Sequence, residues 1–365
     1  MPVLPTSPRS RRGAALFLVL AVIAALSAVV VTGMRTVSVD VSGARSVRNR
    51  IQALALARSG SLLAASLLLL DYKDNAYDHE NEDWARYFSD PELRLKRLDQ
   101  DGLGSERLLA FIGDDRLSGQ IVDESGKFPV NALDSQQAET YKRVLTALLR
   151  NEPFNLEERK AKTLVMAITD WIDANGETSQ EDETGLGATG AEDDAYMEAE
   201  TAYRCKDDSL DSLQELLLVR GMSRDLFQGA EGRLGLKDLL SVWSASKINI
   251  NTAPGPLVRA LAAEAQARDA DAFAKAVLTF RREERNEDVL KNEDWFFANL
   301  AEGKNLQLPL EIITVKSSVF TIRMTAREGA RGTTLFTAVR RGYDNTLPES
   351  LPFKGIIKTL YRSVR

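Results

Sequence analysis

Residues 14–31 read AALFLVLAVIAALSAVVV, eighteen apolar or small residues with one serine and no charge. That length reaches the lower end of what a helix needs to cross a bilayer. Arg9, Arg11 and Arg12 lie directly before it. Positive flanks stay on the cytoplasmic side, so the rest of the chain is expected outside the cytoplasm. A cleavable secretory signal would give way to unrelated mature sequence. Here no proline occurs between Pro8 and Pro91, and Val37, Val41, Ala44, Val47, Ile51 and Leu54 recur at helical spacing. One continuous helix is therefore predicted from residue 14 to about 70, roughly 85 Å long at 1.5 Å per residue. Its last part, with Leu62, Leu63 and Leu67 to Leu70, is expected to pack into a folded domain.

Working outward, the 365-residue length predicts two domains, or one domain carrying a large insertion. A net charge of −6 argues against a general nucleic-acid binder. The single cysteine, Cys205, excludes an intramolecular disulfide and a cysteine-based zinc site. The single histidine, His79, leaves no room for HExxH chemistry, and every Ser-His or Cys-His arrangement would depend on it. The expectation is a protein that is not an enzyme and has no small-molecule substrate.

The remainder divides by period. Residues 71–120 mix turns with short helical stretches. Ile121 and Val122 suggest a short strand, Glu124 to Lys127 a turn, and Phe128 to Leu133 an extended piece. Residues 134–171 read as two helices separated by Glu152-Pro153. Helical segments run through 269–300, where RREERNEDVLKNEDWF reads as a solvated face followed by a turn. From residue 313 the period becomes two: Phe320, Ile322 and Met324 alternate with polar residues, as do Leu335, Thr337 and Val339 with their neighbours. The Gly329-Ala-Arg-Gly332 link makes these a hairpin. The tail LPFKGIIKTLYRSVR is basic. Strands before 130 and after 313, with helices between, fit a helical domain inserted into one sheet.

The most unusual stretch is DWIDANGETSQEDETGLGATGAEDDAYMEAETAY, residues 170–203, with eleven acidic residues and no basic one. Three readings compete. It could be a solvated loop. Gly185 to Gly190 matches GxGxxG, but no strand precedes it and clustered carboxylates would repel a pyrophosphate. It could hold calcium, which takes six to eight oxygen ligands and relieves repulsion among carboxylates. It is not an EF-hand, because aligning Gly176 to the loop glycine puts Trp171 where an aspartate is required.

The leader Arg11-Arg12-Gly13 before an apolar helix resembles type IV pilin-like precursors. The resemblance implies cleavage by a prepilin peptidase between Gly13 and Ala14, leaving 352 residues with a net charge of −9. Major pilins of that class carry a glutamate at the fifth mature position, where this chain has Leu18. A carboxylate in lipid is costly unless paired, so its absence points to a tip or initiator subunit. DWID, GAED and the following tyrosine resemble the K family of type II secretion minor pseudopilins. SLDSLQELLLVRGMSRDLF (209–227) and KININTAPGPLVRALAAEA (247–265) continue that resemblance. Both look like helix-hairpin-helix pieces, with Gly221 in a tight turn and Asn251 or Thr252 capping the next helix. The second lacks a Pro-Gly-x-Gly turn, so a packing role is expected rather than DNA binding.

What the resemblance implies is an α+β, pilin-like fold: a long N-terminal helix on a small antiparallel sheet, with a large inserted all-α domain containing SAM-like or helix-hairpin-helix elements. The implied division is leader 1–13, membrane and stalk helix 14–70, pilin-like portion 71–130, helical insertion 131–305 and closing strands 306–365. It also implies a calcium site with Asp173, Glu192, Asp193 and Asp194 as ligand candidates and Asp170 and Glu177 as weaker ones. The implied partners are the I and J minor pseudopilins, meeting along the Val37 to Leu54 stripe. The implied location is the inner membrane, with the folded part in the periplasm, at the tip of a secretion pseudopilus. A minor pilin of a type IV pilus is the nearest alternative. A membrane-anchored hydrolase using the acidic cluster is a third, opposed by the lack of a histidine near it.

Overall fold

A computed structural model describes residues 11–75, 77–90, 116–180, 187–198, 202–230, 232–244, 247–304, 306–329, 331–343, 346 and 354–364. The stalk helix α1 (Arg11–Asp74) is continuous over 64 residues. Its N-terminal part is bare, and its C-terminal part lies on a sheet. The face that packs is built from Ala53, Ala57, Gly60, Ser61, Ala64 and Leu68, at helical spacing. Small residues let the helix approach the sheet closely. A Cβ on Gly60 would stand 3.1–3.2 Å from Leu117 and Met324. The expectation for the leucine-rich end holds for Leu68, which is buried, and for Leu63 and Leu67, which pack partly buried, but not for Leu62, 67% exposed, or Leu70, 53% exposed. Val37, Val41, Val47 and Ile51 are exposed as well, so the bulky stripes face outward and the small one faces in.

The strands, in chain order, are β1 (Leu117–Asp123), β2 (Phe128–Pro129), β3 (Leu240–Ser241), β4 (Ile248–Asn249), β5 (Ile313–Thr314), β6 (Val319–Glu328), β7 (Arg331–Tyr343) and β8 (Gly355–Val364). The main sheet has the order β1-β6-β7-β8 and is antiparallel throughout. The expected hairpin is β6–β7, and Gly329 enters its turn at φ +63°, a value that favours glycine. Phe320, Ile322, Met324, Leu335 and Val339 alternate inward to α1 with Ile121 of β1. Trp84 sets its edge against Phe320, with ring centroids 5.1 Å apart.

Between β1 and β6 the chain leaves the sheet and builds a second core that runs from Phe128 to Val315. This insertion is helical apart from two short parallel ladders, β2·β3 and β4·β5. The two helices expected around Glu152-Pro153 are Ala138–Arg150 and Glu158–Ile172. The first hairpin is a 3-10 turn, Leu213–Leu218, closed by a Ser212/Glu215 capping box. Gly221 at φ +88° leads from it into Arg224–Gln228.

Three local expectations fail here for a common reason. Asn251 and Thr252 do not cap the following helix, which starts after Pro254. The Asn251 side chain instead donates to Leu290 O and accepts from Trp295 Nε1, and the Thr252 hydroxyl donates to Asp123. The stretch from Arg281 is not merely solvated: Arg281 is buried and donates to the carbonyls of Ile250 and Ala253, while Trp295 and Phe296 are core. Phe128 to Leu133 is extended only over β2, then forms the 3-10 turn Val130–Asp134. In each case a long-range partner overrides the local preference.

The two cores meet at a polar seam. Arg341 lies on the inward face of β7, and its side chain is 2% exposed. It donates to Asp71 Oδ2 (2.6 Å), Leu68 O (3.2 Å) and Ser317 O (3.3 Å), and to the Asp78 carboxylate. Asp123, fully inside, accepts from Ser317 Oγ and Thr252 Oγ1 at 2.5 Å and from Asn249 Nδ2 at 3.2 Å. Glu82 accepts from Asn75, Trp84 and the His79 backbone. Burial pushes Asp78 up to about 7, against the pull of Arg341. Burial, with Asp71 and Asp78 nearby, pushes Glu82 up to about 8. Burial holds His79 down to about 4.

Arg341→Leu leaves Asp71 and Asp78 buried without their cation and is expected to cost about 3–5 kcal/mol. Thermal unfolding in mild detergent, followed by tryptophan fluorescence, reads this directly. The seam also sets a pH trend. Carboxyls whose folded pKa is raised contribute fully at acidic pH and lose that contribution as pH rises through about 7 and 8. His79 runs the other way, its contribution being lost only as pH falls through about 4. The unfolding midpoint should therefore decline between about pH 6 and pH 9; a flat or rising profile would contradict the buried acids.

Candidate functional site

The acidic stretch folds around one residue. Helix Glu158–Ile172 carries Asp170 into the interior, where it is 0% exposed. Its carboxylate accepts the backbone N–H groups of Ser179 (3.2 Å) and Ala191 (2.8 Å), which lie on either side of the loop. Gly190 N–H donates to Ser179 O, and Gln180 bridges Thr189. A Cβ on Gly190 would collide with Asp170 Oδ2. Asp170 is thus the clasp of the loop. The GxGxxG match falls here too. Gly185 and Leu186 lie outside the described residues, and Gly187 to Gly190 form the returning arm of this clasp rather than a strand-to-helix turn.

The other acids divide by environment. Glu192 is 7% exposed, and its Oε1 has no hydrogen-bond partner. Burial pushes its carboxyl up to about 7, with Asp170, Asp207 and Asp173 adding repulsion. Asp173, buried after the helix end, accepts from Asn175 N at 3.4 Å, and burial raises its pKa. Asp193 gives one oxygen to Cys205 N–H at 2.8 Å. Asp194 and Glu177 are exposed. Sequence reasoning missed two neighbours: one ligand atom each of Glu192, Cys205 and Asp207 lie within 4.8 Å of one another. The signal was present as Arg204-Cys-Lys-Asp-Asp208, just past the boundary drawn at residue 203.

Chemically this favours a hard cation. Glu192, Asp207 and Asp173 repel one another across a partly dehydrated space, and an orphaned buried carboxylate oxygen is what a cation would satisfy. Burial pushes the Cys205 thiol up to about 12, and it donates to Asp170 O at 3.5 Å. A neutral thiol adds little for calcium, which prefers oxygen.

At the other end of the chain, Gly13 and Ala14 lie in the first turns of α1. Leu18 is 67% exposed, and the apolar span around it is 0% buried. That helix is long and apolar enough to cross a membrane.

A family model described as "Type II secretion system (T2SS), protein K" matches residues 126–234, which contain the clasped acidic loop and the first hairpin. Over that stretch the chain resembles the type II secretion system protein K family. Among proteins it resembles is type II secretion system protein K of Pseudomonas aeruginosa, 27% identical over 69% of this chain and 68% of the relative. The Aeromonas hydrophila protein of the same description is 27% identical over 81% and 82%. The Pectobacterium carotovorum one is 32% identical over 37% and 40%. In fold the chain resembles a solved structure of the GspK-GspI-GspJ complex from enterotoxigenic Escherichia coli, with a TM-score of 0.57 at 17% identity over 88% of this chain and 98% of that one.

Asp170→Ala leaves two buried backbone N–H groups without an acceptor, at about 1–3 kcal/mol each. Limited proteolysis should then cut within 173–190 at least as strongly as thermal unfolding is advanced. A loop no more protease-sensitive than the parent would show that Asp170 is not its clasp.

Proposed function

We propose that this chain is a minor pseudopilin of a type II secretion system and sits at the tip of the fibre, where it starts or caps assembly together with I- and J-type minor pseudopilins. Leu18 carries the reading. A leucine at that depth offers no acid to the N-terminal amine of a neighbouring subunit, and a subunit at the end of the fibre needs none. The helical insertion stands at the distal end of α1, around Leu68 to Glu82, where its bulk would obstruct a further subunit. The E. coli complex, in which a K protein is joined to I and J proteins, supports the same partners. In this reading a prepilin peptidase cuts between Gly13 and Ala14. Residues 14–31 then stay in the inner membrane, and the folded part occupies the periplasm. The chain acts as a structural subunit and not as an enzyme. The alternative of a type IV pilus subunit is not favoured by the family match.

The acidic loop, in the same reading, holds calcium. Glu192, Asp207 and Asp173 would supply oxygens, with Asp193 and Asp194 beside them. The ion would neutralise their repulsion and stiffen the loop, and no reaction step passes through it. Calcium at 100 times its dissociation constant stabilises by about 2.7 kcal/mol. The thermal midpoint of the full chain in detergent should rise with calcium and fall with chelator, and Glu192→Gln should remove most of that shift. No shift in the parent protein would remove the calcium site.

Gly13→Ala should keep the leader on, giving slower gel mobility, and should fail to restore extracellular enzyme secretion to a deletion strain. Normal mobility would defeat the leader reading. Loss of surface pili with secretion intact would return the chain to the type IV pilus class.

A further inference from the structure

The face of the main sheet turned away from α1 carries four exposed cations: Arg323 and Arg327 on β6, Arg340 on β7 and Lys358 on β8. Arg340 and Lys358 are directly opposite across the ladder. Like charges so placed destabilise a sheet, and this occurs on a chain with a net charge of −6. Among the described residues no carboxylate pairs with any of the four. The acid nearest in register, Glu124, is buried and already engaged by Lys127 Nζ (2.7 Å) and Thr321 Oγ1 (2.8 Å). Glu328, at the hairpin end, is held by Arg116. Between the cations lie aromatic platforms. Arg323 sits 5.5 Å over the Phe336 ring, and half-exposed Tyr361 stacks on Trp243 at 5.7 Å.

We propose that this outer sheet face is the docking surface for an extended acidic segment of a partner protein. Length argues for a segment rather than a small anion. From Arg327 to the Val319 level, where Arg340 and Lys358 stand, is eight residues of strand, roughly 26 Å. Position argues against lipid. Leu68, bonded to Arg341 beside Arg340, is 37 residues beyond Val31, roughly 55 Å along the helix. That is several Debye lengths from the end of the apolar span. Preference for protein over nucleic acid rests on the placement outside the cytoplasm proposed above. Failure of that placement would show in leader processing, separately from the binding test below.

The test uses the full chain in neutral detergent and a fluorescein-labelled octaglutamate peptide, read by anisotropy. Saturable binding that weakens with salt is expected. Arg340→Gln/Lys358→Gln should lower affinity about tenfold, as losing two charge contacts implies, while the thermal midpoint holds or rises. Arg48→Gln/Arg50→Gln on the stalk, an equal change of charge, should bind like the parent. If the first pair lowers the midpoint, Arg323→Gln/Arg327→Gln carries the same expectation. Equal loss in the sheet and stalk variants, no loss in either, or salt-insensitive binding would overturn the proposal. So would tighter binding of an oligonucleotide of equal charge, or self-association of the chain abolished by the sheet variant.

Discussion

One guanidinium sets how the two halves of this molecule sit on each other. The stalk-and-sheet core and the helical core are separate apolar bodies. Between them runs a seam of directional bonds: Arg341 to Asp71, Asp78 and Ser317; Ser317 and Asn249 to Asp123; Asn249 to Asp78 O. Apolar contact alone would tolerate sliding. A buried Arg with several fixed acceptors does not, because each lost bond leaves a dehydrated polar group. The cation also stacks over Phe320 at 4.7 Å and Tyr72 at 5.2 Å, so the lock is packed as well as bonded. The helical body is thereby fixed at the distal end of a helix whose other end is long and apolar enough to cross a membrane.

The parts of the fold legible in the sequence were those with a local period. A run of apolar residues without proline marked α1, and alternation around Phe320 and Val339 marked the hairpin. The face of α1 that packs was not legible, because periodicity weights bulky residues and the close approach is made by Ala53, Ala57, Gly60 and Ala64. The seam was invisible for a different reason: Asp71 and Asp78, Asp123, Asn249, Ser317 and Arg341 come from five separate stretches of the chain. Its one local trace was the KININTAP stretch, read as a cap. There Asn249, Asn251 and Thr252 spend their side chains on the seam and on the core around Trp295.

The acidic loop was half legible. Composition marked it, and the family resemblance suggested a cation. The structure separates acids with structural work, Asp170 above all, from Glu192, whose Oε1 is left unsatisfied beside Asp207 and Cys205. A count of carboxylates cannot make that division, because it depends on which backbone N–H groups the loop closure brings to each acid.

The proposed role joins these features: an anchor without an acid at Leu18, outward apolar stripes on α1 for neighbouring helices, and a locked helical body at the far end. Its most direct test is assembly. The chain should be combined in detergent with the I- and J-type minor pseudopilins of the same secretion system and resolved by size. A single species containing all three in fixed proportion is predicted; three separate peaks at concentrations well above those in the membrane would contradict a tip subunit.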